Sequence, residues 1–436
     1  MYYIVGFFIL LFIISLFHNK EYNSRNYFLA GGNNSVITVT FSLLATILGA
    51  SSTIGLVGLA YKTGLAASLW LILGAIGLFI LGLIYPQFNF GTYNYTITEY
   101  LQLHYGSKVK KILGLIIFLS WIGVISAQFL ALARLFSFYF PEINIKFLLL
   151  FATLVVTLYT GFGGQRAVVF TDCLQFIFFL VGLSILLIKI FGKQIPDLQP
   201  EYLRFPCNKY FKISDFIYFS LVLIPVYIVG PDIHSRLFCN SSINDRRKAL
   251  IITGITLIPI GLLLAFLGIF AHSQYGNINS DEILYRLSKD FLPANILFYI
   301  FVIAVVCLIL SSADTCLLTS ATIFIRDILG IRKKEIFFVR MAVTVVGLIS
   351  FLFALYFKQI INLLLFSYSI YAVSVFIPFM VIPFKEKFNI SVTRIQNSML
   401  IAGVIAVISN ILNFKWGVML GYLLSAMIIF TPDFNS

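Results

Sequence analysis

The chain has 436 residues, of which 60% are hydrophobic, 17% aromatic and only 11% charged, with a mean hydropathy of +0.99. Soluble domains carry about 25% charged residues, so a water-soluble fold of this length would lack the polar side chains to cover its surface. A soluble enzyme, a nucleic-acid binder and a disordered chain are excluded, and a polytopic membrane protein remains. The apolar runs are long and unalternating, which favours helices over the ~10-residue alternating strands of an outer-membrane barrel. The net charge of +13 sits mostly in short loops between apolar runs, where it orients spans.

In chain order the sequence predicts spans over 2–17, 36–61, 66–87, 112–138, 147–163, 168–190, 215–231, 248–271, 293–323, 335–357, 360–382, 396–413 and 416–431, about thirteen in all. Residues 2–17 lack the leading positive charge and small-residue cleavage site of a signal peptide, so they read as a retained span, short for ~30 Å of hydrocarbon. Five cysteines without CxxC spacing read as free thiols. With the N-terminus outside, the inner loops collect Lys20, Arg25, Lys108, Lys110, Lys111, Arg166, Arg236, Arg246, Arg247, Lys248, Arg326, Arg332, Lys333, Lys334, Lys385, Lys387 and Arg394, while the short outer loops hold few cations. The expected topology is therefore N-out and C-in, in the plasma (cytoplasmic) membrane.

Two spans are interrupted. In the first, Gly49 and Gly55 flank Ser51, Ser52 and Thr53; in the span at 215–231, Pro225 removes a backbone donor and Gly230-Pro231 follows. Unpaired backbone at membrane depth is tolerated where it lines a cavity, and interruptions at matching places in two halves point to a transporter site. Glycine and proline are also ordinary in membrane helices, where they serve close packing.

Ionisable residues inside the spans are few. Asp172 opens the span at 168–190 and Asp314 lies mid-span in 293–323; Arg134 is near an outer end and Arg340 is close enough to the inner surface to snorkel. An acid in the membrane marks an ion or substrate path by default, although Asp172 also fits the headgroup level. Ser311, Ser312 and Thr315 set hydroxyls about a turn apart, with Asp314 on the same face as Ser311. Hydroxyl and carboxylate oxygens beside a broken helix suit a hard monovalent cation, and no Cys or His accompanies them for a soft metal. Membrane serines also bond back to their own i−4 carbonyl, which explains one serine better than the cluster.

Four segments carry a resemblance. NYFLAG at 26–31 is similar to the "DYFLAGR" lead-in of the sodium:solute symporter family; GGQRAV at 163–168 with TDCLQ at 171–175 resembles its "GG…AV..TD..Q" stretch; GPDIHSR at 230–236 resembles "GPD..QR"; and LSSADT at 310–315 through Arg326-Asp327 resembles "LSSADS…RD". The resemblance implies an all-α LeuT-type fold, a 5+5 inverted repeat with one extra N-terminal span, as a single transmembrane domain over 1–436. The extra span is 2–17, the repeats cover 36–190 and 215–382, and the C-terminal spans cover 396–431. It implies Na⁺-coupled symport by alternating access. The family's shared sodium site maps to the carbonyls of Ala45, Leu48 and Leu308 and the hydroxyls of Ser311 and Ser312. A second ion or ion path would use Asp172, Asp314 and Thr315 with Ser311. The chain departs from the pattern at Gly32, where the family has an Arg of an inner gate, at Ser235, where it has Gln, and in a short C-terminal part.

The solute of such a fold sits at mid-depth between the two broken spans. Candidate liners are Ser51, Ser52, Thr53, Gln128, Tyr227, Tyr368, Ser369 and Tyr371, with plain packing as likely for each aromatic. A half-helix N-terminus favours a carboxylate, and few side chains suit sugar hydroxyls, so a small organic acid or amino acid is expected over a sugar. The expected partners are that solute, Na⁺ and the bilayer, with no nucleic acid and no cofactor beyond the coupling ion. A non-transporting sensor of the same fold and H⁺-coupled transport are the alternatives. An intramembrane enzyme would need a nucleophile with its base or an H-E-x-x-H set, and the four histidines are scattered.

Overall fold

The computed structural model describes residues 6, 24–88, 90, 95–193, 198–293, 295–357 and 359–431. The expected span at 2–17 lies, Gly6 apart, outside them. Among the described residues the chain is helical, with one isolated bridge between Asn33 and Asn240. The helices are α1 (Ser24–Leu29), α2 (Val36–Ile47), α3 (Leu56–Thr63), α4 (Leu69–Ile84), α5 (Ile97–Tyr139), α6 (Ile145–Phe191), α7 (Ile213–Val229), α8 (Pro231–Leu237), α9 (Ile243–Gln274), α10 (Ile283–Phe291), α11 (Ile296–Ile323), α12 (Glu335–Ala354), α13 (Ile360–Met380), α14 (Val392–Ile411) and α15 (Gly417–Phe430). Polar side chains start many of them. Ser35, Thr96, Asn144, Ser242, Asn295 and Ser391 each accept a first-turn N–H of the helix that follows, satisfying donors that hydrocarbon cannot.

Nine helices among the described residues are long and apolar enough to cross a membrane. The longest, α6, has 47 residues, about 70 Å at 1.5 Å per residue, more than twice the hydrocarbon thickness. It turns at Gly164, where φ is +62°. A hydrogen bond of 2.7 Å between the hydroxyls of Tyr159 and Thr171 proves the bend, since residues twelve apart in a straight helix are about 18 Å apart. The two apolar runs predicted at 147–163 and 168–190 are thus its two arms. Only glycine fits this corner, because its φ is left-handed and a Cβ would lie 2.6 Å from the Tyr27 ring. α5 likewise breaks at Gly106, with φ +83°. That separates an arm at 97–105 from the run predicted at 112–138.

The helices form two groups. α3 and α4 pack on α9, and α4 packs on α7; α11 packs most extensively on α6 and also on α5, while α12 covers α5 and α6. α13 bridges α5 and α7, with α14 and α15 stacked outside it. α5 is central, with 78% of its most apolar window buried, whereas α12 and α14, at 33%, are peripheral. The two groups touch where α2 meets α6 and α11, and where α8 meets α2 and α11.

Both expected interruptions exist, in altered form. α2 stops at Ile47, residues 48–50 are non-helical, and Ser51–Gly55 form a π turn before α3. The other break is not at Pro225, which lies inside α7; it is at Gly230, where extended backbone (φ −54°, ψ 123°) separates α7 from α8. Pro231 then opens α8 at a position where a missing N–H costs nothing.

Candidate functional site

The interruption of α2 ends its i+4 ladder. Leu44 still accepts from the Leu48 N–H at 3.0 Å, whereas Ile47 accepts from the Ser52 hydroxyl at 2.7 Å and Thr46 from the Ser312 hydroxyl of α11 at 2.6 Å. Gly49 lets the two segments come this close, since a Cβ there would stand 2.6 Å from the Ser312 Cβ and 3.0 Å from Gln128 Oε1. Gln128 Oε1 in turn accepts the Ala50 N–H at 2.9 Å.

Beside this contact lies a fully buried polar cluster. Asp172 of α6 accepts hydroxyl protons from Ser42 of α2 at 2.5 Å and from Ser311 of α11 at 2.6 Å. Its Oδ2 is 3.1 Å from Nη2 of Arg236 on α8, and neither side chain is exposed to solvent. Arg236 also donates from Nε to the Thr46 hydroxyl at 3.3 Å and from Nη2 to Thr315. Arg236 reads as a loop cation in sequence, but in the fold it is the counter-ion of the intramembrane acid. Five residues after Pro231 on a short helix, it points back into the protein instead of out to water. Asp314 touches the cluster through Thr315, at 3.3 Å from its Oδ1, while its Oδ2 accepts no hydrogen bond among the described residues.

The serines separate two readings. Thr315 bonds back to the Ser311 carbonyl at 2.7 Å, the ordinary habit of a membrane hydroxyl. Ser311 and Ser312 instead reach across to α6 and α2. The predicted ion residues Ser311, Ser312, Asp172 and Thr315 therefore come together, with the ends of α2 and α8 around them. Ser42 and Thr46 join them unforeseen; their i, i+4 spacing on the α2 face nearest the break was the available signal.

Next to the cluster is a small cavity lined by Thr46, Ile47, Gly49, Ser51, Val124, Gln128, Val226, Tyr227, Asp232, Ile233, Ser312, Cys316 and Tyr368. Four of the predicted solute residues line it: Ser51, Gln128, Tyr227 and Tyr368. The others turn elsewhere. Ser52 and Thr53 bond the backbone of Ile47 and Gly49. Ser369 bonds Phe366 and Asn410, and Tyr371 donates to the Val229 carbonyl at 2.6 Å and packs on Trp121. Asp232 lines the cavity without having been foreseen; it lies in a motif that reads as a loop in sequence.

Both ends of the assembly are tied by ion pairs. At one, Arg326 joins Glu99 at 3.2 Å and Glu335 at 2.5 Å, and lies 4.2 Å over the Tyr95 ring. Lys110 pairs with Asp327 at 3.0 Å. Here Gly32 is left-handed (φ +76°), and the Arg25 guanidinium lies 3.4 Å from where its Cβ would be. At the other end Arg134 pairs with Asp281, and Tyr61 donates to the Gly276 carbonyl. Among the described residues no group of three or more His, Cys, Asp or Glu side chains could hold a metal.

Two interrupted helices meeting a hydroxyl-bearing helix give the arrangement of a LeuT-type helical fold. The chain superposes on a substrate-bound, outward-open Na⁺-coupled sialic acid symporter with a TM-score of 0.79 at 17% identity, covering 98% of this chain and 96% of that one. On a closed nucleobase-cation-symport-1 family transporter with bromovinylhydantoin bound, the TM-score is 0.65 at 12% identity, covering 93% and 94%. The model described as "Sodium:solute symporter family" matches residues 27–195. The sodium/pantothenate symporter of Escherichia coli (strain K12) is 31% identical over 43% of this chain and 40% of its own length. The sodium/glucose cotransporter of Vibrio parahaemolyticus is 25% identical over 70% of this chain and 63% of its own length. The matched regions thus span less than two thirds of either relative.

Proposed function

We propose that the protein is an integral membrane symporter that moves a small organic solute with Na⁺ by alternating access, with an amino acid or organic acid favoured over a sugar. The observation that carries this reading is the approach of Ser312 to the broken end of α2 and of its neighbour Ser311 to the buried Asp172. The coupling ion would take the carbonyls of Ala45, Leu48 and Leu308 and the hydroxyls of Ser311 and Ser312. Each hydroxyl donates its proton to Asp172 or Thr46 and would turn an oxygen lone pair to the ion. Asp172, Asp314 and Thr315 would form a second ion site or the ion path, and the solute would occupy the cavity beside Gln128 and Tyr227. Na⁺ would be the only inorganic partner, with the N-terminus outside and the C-terminus inside the plasma membrane. The names of the relatives support Na⁺ coupling.

The test is uptake of a labelled solute panel into proteoliposomes with and without an inward Na⁺ gradient. Uptake that accelerates with the gradient is expected. Transport of panel members at rates indifferent to Na⁺, and responsive to a proton gradient instead, would overturn the coupling.

A further inference from the structure

One face of α11 carries more hydroxyls than the ion cluster uses. Ser311, Thr315, Thr319 and Thr322 follow one another at steps of three or four residues, so they share a face, and all four are buried. The first two belong to the cluster around Asp172. Thr319 lies one turn further on, about 6 Å along the axis, and Thr322 lies beyond it. These two line a second small cavity, with room for about one water. Gln165, at the corner of α6, and Ser235 of α8, next to Arg236, line it with them. On its far side are the rings of Phe28 and Tyr95, with centroids 5.8 Å apart. Arg326 lies over both, at 5.0 and 4.2 Å, and is held there by Glu99 and Glu335.

The oxygens around this cavity are left open. A membrane threonine ordinarily bonds back to its own i−4 carbonyl, as Thr315 does. Thr319 and Thr322 are each more than nine-tenths buried, yet their hydroxyls make no hydrogen bond among the described residues. Gln165 donates from Nε2 to the Ser235 carbonyl at 3.4 Å and to the Cys239 sulfur at 3.5 Å, so its Oε1 is left to accept. The Ser235 hydroxyl donates to the Asp232 carbonyl at 2.7 Å and keeps its lone pairs. Ser235 stands where the family pattern has Gln, and a longer side chain there would compete for the same space. None of the described lining residues is charged.

We propose that this cavity is a relay for the coupling cation, between the Asp172–Ser311 cluster and the end of the bundle where Arg326 and Lys110 lie. Thr319, Thr322, Ser235 and Gln165 replace part of the ion's water shell there, and Phe28 against Tyr95 is the stop beyond it. Uncharged oxygens hold an alkali ion weakly, which suits a relay, since conduction needs a site that admits the ion and also lets it leave. This inference rests on the symporter reading and gives its ion a route.

The experiment reads access and kinetics separately. In a cysteine-free full-length background, Thr319→Cys is labelled in membrane vesicles by a cationic and by an anionic methanethiosulfonate of similar size. The reagents are applied in choline buffer from the side on which a control Lys333→Cys reacts, and rates are normalised to that control. The cationic reagent is expected to be favoured, with Phe28→Ala speeding its reaction and Ser235→Gln slowing it. Thr319→Val with Thr322→Val should lower the maximal rate of Na⁺-driven uptake by about tenfold, the factor for losing one or two polar contacts to the crossing ion. The Na⁺ concentration for half-maximal uptake should stay where it is, because the cluster that binds the ion is untouched. Absence of labelling from that side in every variant, equal normalised rates for the two reagents, or a wild-type maximal rate in the double valine variant overturns the relay. The labelling decides it even if the double variant does not fold. Cation-selective labelling in a protein whose uptake ignores Na⁺ would instead sink the coupling and leave the route standing.

Discussion

The buried pair Asp172–Arg236 makes the sharpest prediction. Both side chains are fully buried and 3.1 Å apart, so at an effective dielectric of about 20 their attraction is about 5 kcal/mol. Removing Arg236 does not strip Asp172, which keeps the Ser42 and Ser311 hydroxyls at 2.5 and 2.6 Å. It does leave a buried charge without a counter-ion, and such losses cost about 3–5 kcal/mol. Asp172→Asn strands Arg236 in the same way, with Thr46 and Thr315 as its remaining partners. The double variant Asp172→Asn/Arg236→Gln removes both charges, so its destabilisation should fall short of the sum of the singles by at least about 2 kcal/mol. SDS-induced unfolding of the purified protein in mixed micelles, in choline buffer without Na⁺, gives the four free energies. Single effects that add within about 0.5 kcal/mol would refute the pairing. In Na⁺ buffer, Arg236→Gln should be stabilised more than the wild type, because a cation that binds only the folded state adds RT ln(1 + [L]/Kd). An equal response would mean that Asp172 is not reachable by the ion.

Replacing Ser311 and Ser312 together by Ala should raise the Na⁺ concentration for half-maximal uptake by about tenfold or more, at about 1.4 kcal/mol per tenfold; an unchanged Na⁺ curve removes these hydroxyls from the site. Gly49→Ala should push α2 from α11, since its Cβ would sit 2.6 Å from the Ser312 Cβ. A cost of about 1–3 kcal/mol in the unfolding assay and loss of uptake are expected, and wild-type behaviour would contradict the close approach. Gly164→Ala faces both a left-handed φ of +62° and the Tyr27 ring, so it should lower the yield of folded protein on size exclusion. Arg326→Met leaves Glu99 and Glu335 facing one another without their shared cation. A drop in thermal stability in detergent, relieved in part by adding Glu335→Gln, is the expected pattern.

Most of the helical layout was legible in sequence because it is a local property. Long apolar runs, and the glycines and prolines that interrupt them, act within a few residues of themselves. The two membrane acids were also legible, since a charge in an apolar run stands out by cost alone. Tertiary structure decided which polar groups meet. Asp172 finds Ser42 across 130 positions and Ser311 across 139, and no periodicity encodes such a pairing. Arg236 and Asp232 lie in a polar stretch just past an apolar run, which reads as loop chemistry. Only the break at Gly230, and the turn of α8 back between α2 and α11, brings one onto an intramembrane carboxylate and the other to the cavity beside Gln128. The sequence by itself determined a membrane bundle with scarce charge and two interrupted helices. The fold decided where that charge goes, because burial belongs to the packed assembly and not to the segment that carries the residue.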